Sequence, residues 1–289
     1  MSFEKILLFF KPGLDIKEIL TVAEKISKFG KKIYILKEPQ SEEVLKTAEK
    51  NNIKINVIES EKLKEEGVEL ITVLGGDGAI LRAFHKIIES KINIPVFGIN
   101  RGRVGFLSFG TEEKLDDVLQ KVFEGRFRVE KRKTLEGEIL GRKIYAVNDF
   151  VIKSSDGLAD FEIRTEKEYI GSVRADGLII SSQIGSTAYN ISVGGPIVYP
   201  DLEVIIISFI APFSLSARSI ILSEKNKIFV EVKTSFVVFA DGKKIQVPQT
   251  KEEKKTLSFQ LSDFQIKLVK AEKSSFFQSL RTKLKWLEQ

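Results

Sequence analysis

The sequence predicts an N-terminal α/β domain with a Rossmann-like parallel sheet, followed by a β-rich, sandwich-like C-terminal domain. Over residues 1–126, short apolar runs alternate with stretches whose apolar residues recur every three or four positions, which indicates strands alternating with helices. Such alternation is typical of a parallel sheet covered by helices. Over residues 127–272, β-rich runs follow one another almost without helical stretches, which favours a mainly antiparallel domain. Residues 273–289 predict a terminal helix that packs on the body of the protein.

In the first domain, five strands are predicted from the runs KILLFF, KIYIL, KINVI, VELITVL and IPVFGIN. Four helices are predicted over 15–29, over 41–52, over the run AILRAFHKIIES and over 113–124. The first helix ends at Gly30, a common helix stop, and the second begins at Ser41, a favoured cap. Strands and helices therefore alternate through the whole first domain.

The second domain is predicted to consist of short strands. They are the runs TLEGEIL, KIYAVNDFVI, FEIRTE, EYIGSVRADGLIISS, EVIIISFIA, SIIL, KIFVEV, SFVVFADG, KIQV, TLSFQL and QIKLVK. The helix candidate in this domain is the run STAYNISVGG. In the tail, Leu280, Leu284 and Leu287 share one helical face with Phe276 or Phe277, so we expect this face to be buried.

Composition excludes several classes of site. The 289-residue chain has no cysteine and one histidine, which excludes disulfides, cysteine nucleophiles and zinc sites built from thiolates or histidine clusters. A Ser-His-Asp triad would need His85, which we interpret as a packing residue of a helix. No apolar run is long enough to span a bilayer, and the first residues lack the pattern of a signal peptide. We therefore expect a cytoplasmic protein without a membrane partner.

The net charge of +6 does not require a nucleic-acid partner. Basic residues are interleaved with acidic ones almost everywhere, as in EKLKEEG, and neither a basic arm nor an RNA-binding aromatic motif is present. An enzyme that handles small polyanions accounts for this charge as well. We therefore predict small-molecule substrates and no nucleic acid.

A glycine-rich loop with one carboxylate, LGGDG (74–78), lies between a predicted strand and a predicted helix. The N–H groups at a helix N-terminus bind anions, and glycines allow a ligand to approach the backbone closely. The spacing matches neither the G-x-G-x-x-G motif nor the P-loop. Asp77 would repel bound phosphates unless it bonds the loop, meets a cation or takes up a proton. The alternative is that Asp77 caps the helix.

Three arginines are candidates to meet phosphate. Arg82 either lies in solvent on the predicted helix or points back toward the glycine loop. Arg101 and Arg103 flank a glycine-containing turn after the next strand, at the strand end where α/β folds bind ligands.

Two further groups of polar residues lie in apolar surroundings. Asn148 and Asp149 interrupt the strand-like run YAVNDFVI, and they indicate either a bulge or turn, or a bidentate grip on sugar hydroxyls. The segment 174–200 places small, hydroxyl and glycine residues together with Tyr189, whose ring can stack on a flat ligand. This unusual composition favours a ligand site over a purely structural turn.

Several motifs, taken together and in this order, make the sequence similar to the NAD kinase family. They are LGGDGAILRA (74–83), GINRGRVGFL (98–107), NDFVI (148–152), RADGLIISSQIGSTAYNISVGGPIVYP (174–200), APFSLSAR (211–218), ADG (240–242) and FFQSLRTKLKW (276–286). The GGDG element alone also resembles 6-phosphofructokinases, diacylglycerol kinases and sphingosine kinases. The segment 174–200 together with NDFVI is similar to NAD kinases in particular.

The resemblance implies transfer of a terminal phosphoryl group to the 2′-hydroxyl of the adenosine ribose of NAD, which gives NADP. The implied donor is ATP or inorganic polyphosphate, the implied cofactor is a divalent ion, usually Mg²⁺, and the implied assembly is a homodimer or homotetramer. Asp77 would be the general base, and Asn148 and Asp149 would hold ribose hydroxyls. The other implied substrate-binding or nucleotide-binding positions are Gly75, Gly76, Gly78, Arg82, Arg174, Asp176, Thr187, Ala188, Tyr189, Asn190, Ser192 and Ala211. No residue is assigned as a metal ligand.

Four places depart from the family pattern. Ala79 stands where Thr usually follows GGDG, and Gln183 and Ile184 replace a Pro followed by Thr or Ser. Phe213 and Lys243 stand where the family commonly has His and Gln. We expect activity to survive these changes, and donor preference and substrate affinity to be affected.

Two other functions remain open from the sequence. The first is a GGDG-type kinase that acts on a lipid or a sugar, against which the segment 174–200 argues. The second is a non-catalytic dinucleotide sensor, which would bind NAD without forming NADP.

Overall fold

The computed structural model describes residues 3–100, 105–109, 115–155, 157–246, 255–272 and 274–287. The chain divides into two compact units, residues 1–131 with 266–289 and residues 132–265. Arg101 and Arg103 are predicted to flank a glycine-containing turn after the strand IPVFGIN. Both residues lie outside the described part of the chain. No helix in the described part of the chain has the length and apolar character needed to cross a membrane.

The first unit is built on a parallel sheet. Its strands are β1 (Lys5–Phe10), β2 (Lys32–Leu36), β3 (Ile55–Ile58), β4 (Leu70–Leu74) and β5 (Val96–Ile99). They lie in the order β3-β2-β1-β4-β5, and each neighbouring pair is parallel. All five residues of β4 are buried, as expected of a strand in a parallel sheet covered on both faces. The predicted α/β class and parallel sheet are therefore confirmed.

Four helices alternate with these strands. They are α1 (Ile16–Ser27), α2 (Ser41–Lys50), α3 (Asp77–Glu89) and α4 (Leu115–Phe123). Apolar residues on their buried faces join the sheet in one core, in which Ile19 and Ile26 of α1 are fully buried with Ile6 of β1. The side chain of Asp15 begins α1 by accepting a hydrogen bond from the N–H of Lys17 (3.0 Å).

The second unit is mainly antiparallel. Its strands are β6 (Arg128–Ile139), β7 (Arg142–Ala146), β8 (Asp149–Ser154), β9 (Ala159–Thr165), β10 (Tyr169–Ala175), β11 (Gly177–Ser182), β12 (Val204–Ile210), β13 (Ile220–Ser223), β14 (Ile228–Val232), β15 (Phe236–Ala240), β16 (Lys243–Ile245) and β17 (Lys255–Lys270). One sheet has the order β13-β12-β11-β8-β15-β16, and the other contains β10-β9-β14-β17 with β6 beside β17 and β7 beside β6. Residues of both sheets share one core, where Phe150 and Phe259 lie 5.2 Å apart between ring centroids. The β-rich second domain is confirmed.

Two of the predicted strand runs are interrupted in this unit. The run KIYAVNDFVI breaks between β7 and β8, at Val147 and Asn148. The run EYIGSVRADGLIISS breaks at Asp176, because β10 and β11 belong to different sheets. The predicted helix in STAYNISVGG is a 3₁₀ turn at Gly185–Thr187 followed by the single-turn helix α5 (Tyr189–Ser192).

The tail belongs to the first unit. The end of β17 runs parallel to β5, with Leu268 beside Val96, and α6 (Phe276–Leu284) follows. Leu280 is buried, but Leu284 and Leu287 are 37% and 78% exposed, so the expectation of a fully buried face is wrong for these two. The helix ends at Leu284, and its C-cap residue Lys285 has a left-handed backbone (φ 50°), so Leu287 lies beyond the helix.

Candidate functional site

The glycine-rich loop joins β4 to α3 at the carboxyl end of the parallel sheet. The N–H of Gly75 donates to the carbonyl of Ile99 at the end of β5 (3.0 Å), and Gly76 is the N-cap residue of α3. Asp77 is the first residue of the helix, and Gly78 follows it with an exposed backbone. The first N–H groups of a helix have no partner within the helix, so this loop can bind an anion such as phosphate.

Asp77 does not cap α3, because its carboxylate is bonded by residues distant in sequence. Its Oδ2 accepts hydrogen bonds from the N–H of Phe106 (3.0 Å) and from the Nζ of Lys283 (2.6 Å). Its Oδ1 accepts one from the N–H of Leu107 (3.1 Å). A carboxylate offers about four acceptor positions, so three described donors leave one on Oδ1. The carboxylate is thus fixed in orientation, with one acceptor position left over by the described contacts.

The segment 105–108 is shaped to receive this carboxylate. A side chain at Gly105 would place its Cβ 2.2 Å from the Oδ1 of Asp77, so only glycine allows the backbone to approach so closely. The buried Lys270 donates to the carbonyls of Phe106 (2.7 Å) and Ser108 (2.5 Å) and holds the segment from its other side. The segment therefore presents its N–H groups to Asp77.

Three other residues of α3 differ in their exposure to solvent. Arg82 is exposed. Of the two predicted possibilities, a side chain in solvent or one that points back to the glycine loop, the structure shows the first. His85 is half-buried on the helix. Ala79, where the family usually has Thr, is buried at the start of the helix.

In the second unit, Asn148 and Asp149 lie beside a cavity of about 360 Å³. The cavity is lined by Asn148, Asp149, Val151, Lys153, Ala188, Tyr189, Phe239, Asp241 and Gly242. The structure thus brings together four of the predicted nucleotide-binding residues, since Ala188 and Tyr189 share this cavity with the Asn-Asp pair. Tyr189 is 38% exposed, so part of its ring is open to a ligand.

Asp241 fixes the backbone that carries the Asn-Asp pair. Its carboxylate accepts hydrogen bonds from the N–H groups of Val147 (2.7 Å), Asn148 (2.6 Å) and Asp149 (3.1 Å). The backbone of Asp241 is left-handed (φ 49°) in the tight turn between β15 and β16. This role was not predicted from the sequence, although the Asp-Gly pair between two strand-like runs was a visible signal for a tight turn that ends a strand.

The carboxyl group of Asp149 is buried and titrates near neutral pH. Burial is the main cause that raises its pKa from 3.8 to about 7, and the negative charge of Asp241 raises it further, whereas a hydrogen bond from the backbone of Tyr189 opposes the rise. A group that changes charge near pH 7 beside a cavity is a candidate for ligand binding.

A close backbone contact fixes the segment after β11. Ser182 donates to the carbonyl of Val147 (2.7 Å) and accepts from the N–H groups of Ile184 (3.1 Å) and Gly185 (3.2 Å). A Cβ at Gly185 would lie 2.1 Å from the carbonyl oxygen of Asn148, so glycine is required there. The segment 182–185 is therefore locked to the strand break that carries the Asn-Asp pair.

The remaining predicted residues of the second unit do not line this cavity. Asn190 is fully buried and serves as an internal brace, because it donates to the carbonyls of Ser186 and Pro196 (both 3.0 Å) and accepts from Ser208 (2.7 Å). Thr187 is half-buried, and Ser192, Arg174, Asp176 and Ala211 are exposed.

Gln183, one of the departures from the family pattern, carries an unsatisfied amide. Among the described residues, neither polar atom of this buried side chain has a protein hydrogen-bond partner. An unpaired buried polar group costs about 1–3 kcal/mol, so we expect the Gln183 amide to lower the free energy of unfolding.

Comparison with known proteins places the chain among NAD kinases. The ATP-NAD kinase N-terminal domain matches residues 16–127, and the ATP-NAD kinase C-terminal domain matches residues 148–271. A NAD kinase of Bacteroides fragilis is 34% identical over 248 residues, which are 82% of this chain and 83% of that protein. A NAD kinase of Caldicellulosiruptor saccharolyticus is 34% identical over 232 residues, which are 79% of this chain and 87% of that protein.

Solved structures agree with these sequence matches. An NAD kinase from Archaeoglobus fulgidus in complex with ATP has a TM-score of 0.70 at 26% identity, and the match covers 96% of this chain and 99% of that chain. Yeast NADH kinase complexed with NADH has a TM-score of 0.83 at 20% identity, covers 100% of this chain and 89% of that chain, and shows the shared fold. Both halves of the sequence and the fold lead to one conclusion: the chain belongs to the ATP-NAD kinase family.

Proposed function

We propose that the protein transfers the terminal phosphoryl group of ATP to the 2′-hydroxyl of the adenosine ribose of NAD and so forms NADP. Family membership supports this activity, since the relatives are named NAD kinase. The relative from Archaeoglobus fulgidus, whose structure contains ATP, supports ATP as the donor. The structural observation that carries the proposal is the oriented carboxylate of Asp77 in the first turn of α3.

Asp77 acts as the general base in this mechanism. A ribose hydroxyl is a weak nucleophile, and a positioned carboxylate that removes its proton accelerates such a step by about 10²- to 10⁴-fold. The hydroxyl oxygen attacks the terminal phosphorus of ATP, its proton passes to Asp77, and the bond to the bridging oxygen breaks, so that ADP leaves. The N–H groups of the loop formed by Gly75, Gly76 and Gly78 stabilise the charge on the donor phosphates.

The second unit binds NAD in this mechanism. Asn148 and Asp149 hold ribose hydroxyls, and Tyr189 stacks on a flat ring of the dinucleotide. The cavity that these three residues share supports the assignment. For the other implied nucleotide-binding residues, the proposed role rests on the resemblance to NAD kinases alone. These residues are Arg82, Arg174, Asp176, Thr187, Ala188, Asn190, Ser192 and Ala211.

The affinity for NAD should depend on the charge of Asp149. Above pH 7 the carboxyl group, whose pKa is about 7, is ionised and accepts charge-assisted hydrogen bonds from ribose hydroxyls. Below that pH it is protonated and has lost part of its acceptor capacity. We expect the KM for NAD to fall by roughly 3- to 10-fold between pH 6 and pH 8. In Asp149→Asn, which resembles the protonated form, the KM should be high and nearly independent of pH.

Unfolding provides a control for this assignment. Because the folded state raises the pKa of Asp149, the folded protein retains a proton that the unfolded chain releases, so its stability decreases as the pH rises from about 4 to about 7. Urea unfolding at several pH values should show this decrease in the wild type and a smaller one in Asp149→Asn. Identical pH profiles of stability and of KM in the two proteins would contradict the shifted pKa.

We propose Mg²⁺ as the cofactor, bound mainly through the phosphates of the donor. In the part of the chain that the structure describes, no group of three His, Cys, Asp or Glu side chains could hold a metal ion. Mg²⁺ usually keeps several waters and binds substrate phosphates with one or two carboxylates, so it needs no cluster of protein ligands and can arrive with the donor. When bound, the ion neutralises charge on the transferring group.

Donor use is tested by measuring NADP formation from NAD with ATP and with polyphosphate side by side, each with and without Mg²⁺. We expect formation with ATP that depends on Mg²⁺. Binding of NAD without NADP formation from either donor would identify a sensor instead of a kinase. Phosphorylation of a diacylglycerol or of fructose 6-phosphate, with NAD left unchanged, would identify another GGDG-type kinase.

Use of polyphosphate and the homodimeric or homotetrameric state are proposals that rest on the resemblance, and the cytoplasmic location is a proposal that rests on the composition of the sequence. Two large apolar side chains in the loop after β12, Phe213 and Leu215, are 77% and 90% exposed, which supports an assembly of several copies.

A further inference from the structure

The terminal helix places a cation on the proposed base. The Nζ of Lys283 in α6 lies 2.6 Å from the Oδ2 of Asp77, although the two residues are 206 positions apart in sequence. Their side chains are 33% and 22% exposed, so the pair is partly shielded from solvent. The resemblance to NAD kinases implies no role for Lys283, although this residue lies within the motif FFQSLRTKLKW (276–286).

Several contacts hold α6 where it can make this pair. Leu280 is buried, and the hydroxyl of Ser279 lies 3.4 Å from the carbonyl oxygen of Gly105. The rings of Phe276 and Phe106 have centroids 6.0 Å apart. The Nζ of Lys283 also lies 5.0 Å from the centre of the Phe106 ring, a distance at which a cation is attracted to a ring face. The position of the ammonium group is therefore set by packing on the same segment that binds Asp77.

The cation makes the two carboxylate oxygens of Asp77 different. Oδ2 accepts both the N–H of Phe106 and the ammonium group of Lys283, which uses its two acceptor positions. Oδ1 accepts one described donor, the N–H of Leu107, and keeps one position open. The proton of an incoming hydroxyl can then be accepted on Oδ1.

The same pair explains how a carboxylate can lie in a loop that binds phosphate. An isolated negative charge there would repel the donor, and a cation in direct contact offsets most of that repulsion. Lys283 lies on Asp77 from the tail helix, while Lys270 holds the carbonyl side of the segment 105–108. Arg82 of α3 is exposed, and the described donors to the carboxylate are Lys283 and the N–H groups of Phe106 and Leu107.

We propose that Lys283 is a positioning residue for phosphoryl transfer, which holds Asp77 by Oδ2 and leaves Oδ1 to accept the proton of the ribose hydroxyl. This inference rests on the proposed role of Asp77 as the base. The C-terminal helix α6 thereby has a function in the reaction, because its other contacts place the ammonium group of Lys283.

The test removes the positive charge of Lys283 and keeps the approximate length of its side chain. Lys283→Met should lower kcat by about 10- to 100-fold, because a base that is no longer held loses its orientation. The KM for NAD should stay within about twofold, since no ground-state contact with NAD is removed. Lys283→Arg should restore most of the lost kcat. Lys285→Met, which removes the same charge from an exposed position two residues further along, should behave as wild type.

A double-mutant cycle separates this inference from the role of the base. If Lys283 acts through Asp77, Lys283→Met should have almost no further effect on kcat in the Asp77→Asn background. A wild-type kcat in Lys283→Met, with Asp77→Asn inactive, would overturn the positioning role and leave the base assignment intact. A wild-type kcat in Asp77→Asn would overturn both.

Urea unfolding of each variant excludes a general loss of structure as the cause. If Lys283→Met folds poorly, Lys283→Gln serves as a second neutral variant. A loss of kcat in proportion to the loss of folded protein, without rescue by Lys283→Arg, would show a purely structural role.

Discussion

An Asp77→Asn variant is expected to form NADP about 10²- to 10⁴-fold more slowly than the wild type. The amide has nearly the size of the carboxylate, so the loop and α3 keep their geometry, and the affinity for NAD is retained. The amide nitrogen cannot accept a hydrogen bond, so one of the donors on Asp77, the N–H of Phe106 or of Leu107 or the ammonium of Lys283, loses its acceptor. We expect this loss to lower the free energy of unfolding by about 1–3 kcal/mol.

The measurement combines steady-state NADP formation with calorimetric binding of NAD and with urea unfolding. Asp117→Asn is the matched control, because Asp117 lies exposed in the first turn of α4. Turnover at the wild-type rate in a folded Asp77→Asn protein would remove Asp77 from the mechanism. Loss of turnover together with loss of NAD binding would show that Asp77 contributes to the ground state.

The second large effect is expected for Asp241→Ala in the second unit. This change removes the acceptor of three N–H groups, those of Val147, Asn148 and Asp149. Unsatisfied donors cost about 1–3 kcal/mol each. Since water reaches part of this region, we expect the free energy of unfolding to fall by about 3 kcal/mol in total. The strand break that carries the Asn-Asp pair then loses its fixed geometry, and the KM for NAD should rise by at least about tenfold.

The test of this prediction pairs unfolding with kinetics. Asp263→Ala is the matched control, because Asp263 is an exposed residue of β17. Removal of the Asp241 charge should also lower the pKa of Asp149, since that charge is the second cause of its rise. The pH at which the KM for NAD changes would then move downward. An unchanged KM and an unchanged stability would show that the three hydrogen bonds are dispensable.

Much of the fold was predictable from the sequence because its signals are local. Apolar runs such as KILLFF and helical periodicity such as that of α1 report on neighbouring residues in the chain, and the structure has the predicted strands there. The parallel sheet followed from the alternation of such segments. The boundaries were harder to predict, since a strand run continues in sequence even where the chain passes to another sheet, as it does at Asp176.

The candidate site was predictable in part. Asp77 and the Asn148-Asp149 pair were found because polar residues interrupt apolar segments at strand ends. Asp241 was missed as an anchor, since its partners lie more than 90 positions away in the chain. The exposure of Leu284 and Leu287 was also not predicted, because apolar spacing along the sequence does not show that burial ends after Leu280.

By itself the sequence determined the two-domain class, the parallel sheet, the family and the carboxylate on which the proposed chemistry depends. Only the tertiary structure decided what that carboxylate contacts. The donors to Asp77 come from the segment 105–108 and from Lys283 in α6, and the anchor of the Asn-Asp pair comes from the turn after β15. The physical reason is that periodicity and turn preferences are properties of adjacent residues, whereas the orientation of a partly buried carboxylate is set by hydrogen bonds to residues that folding brings together.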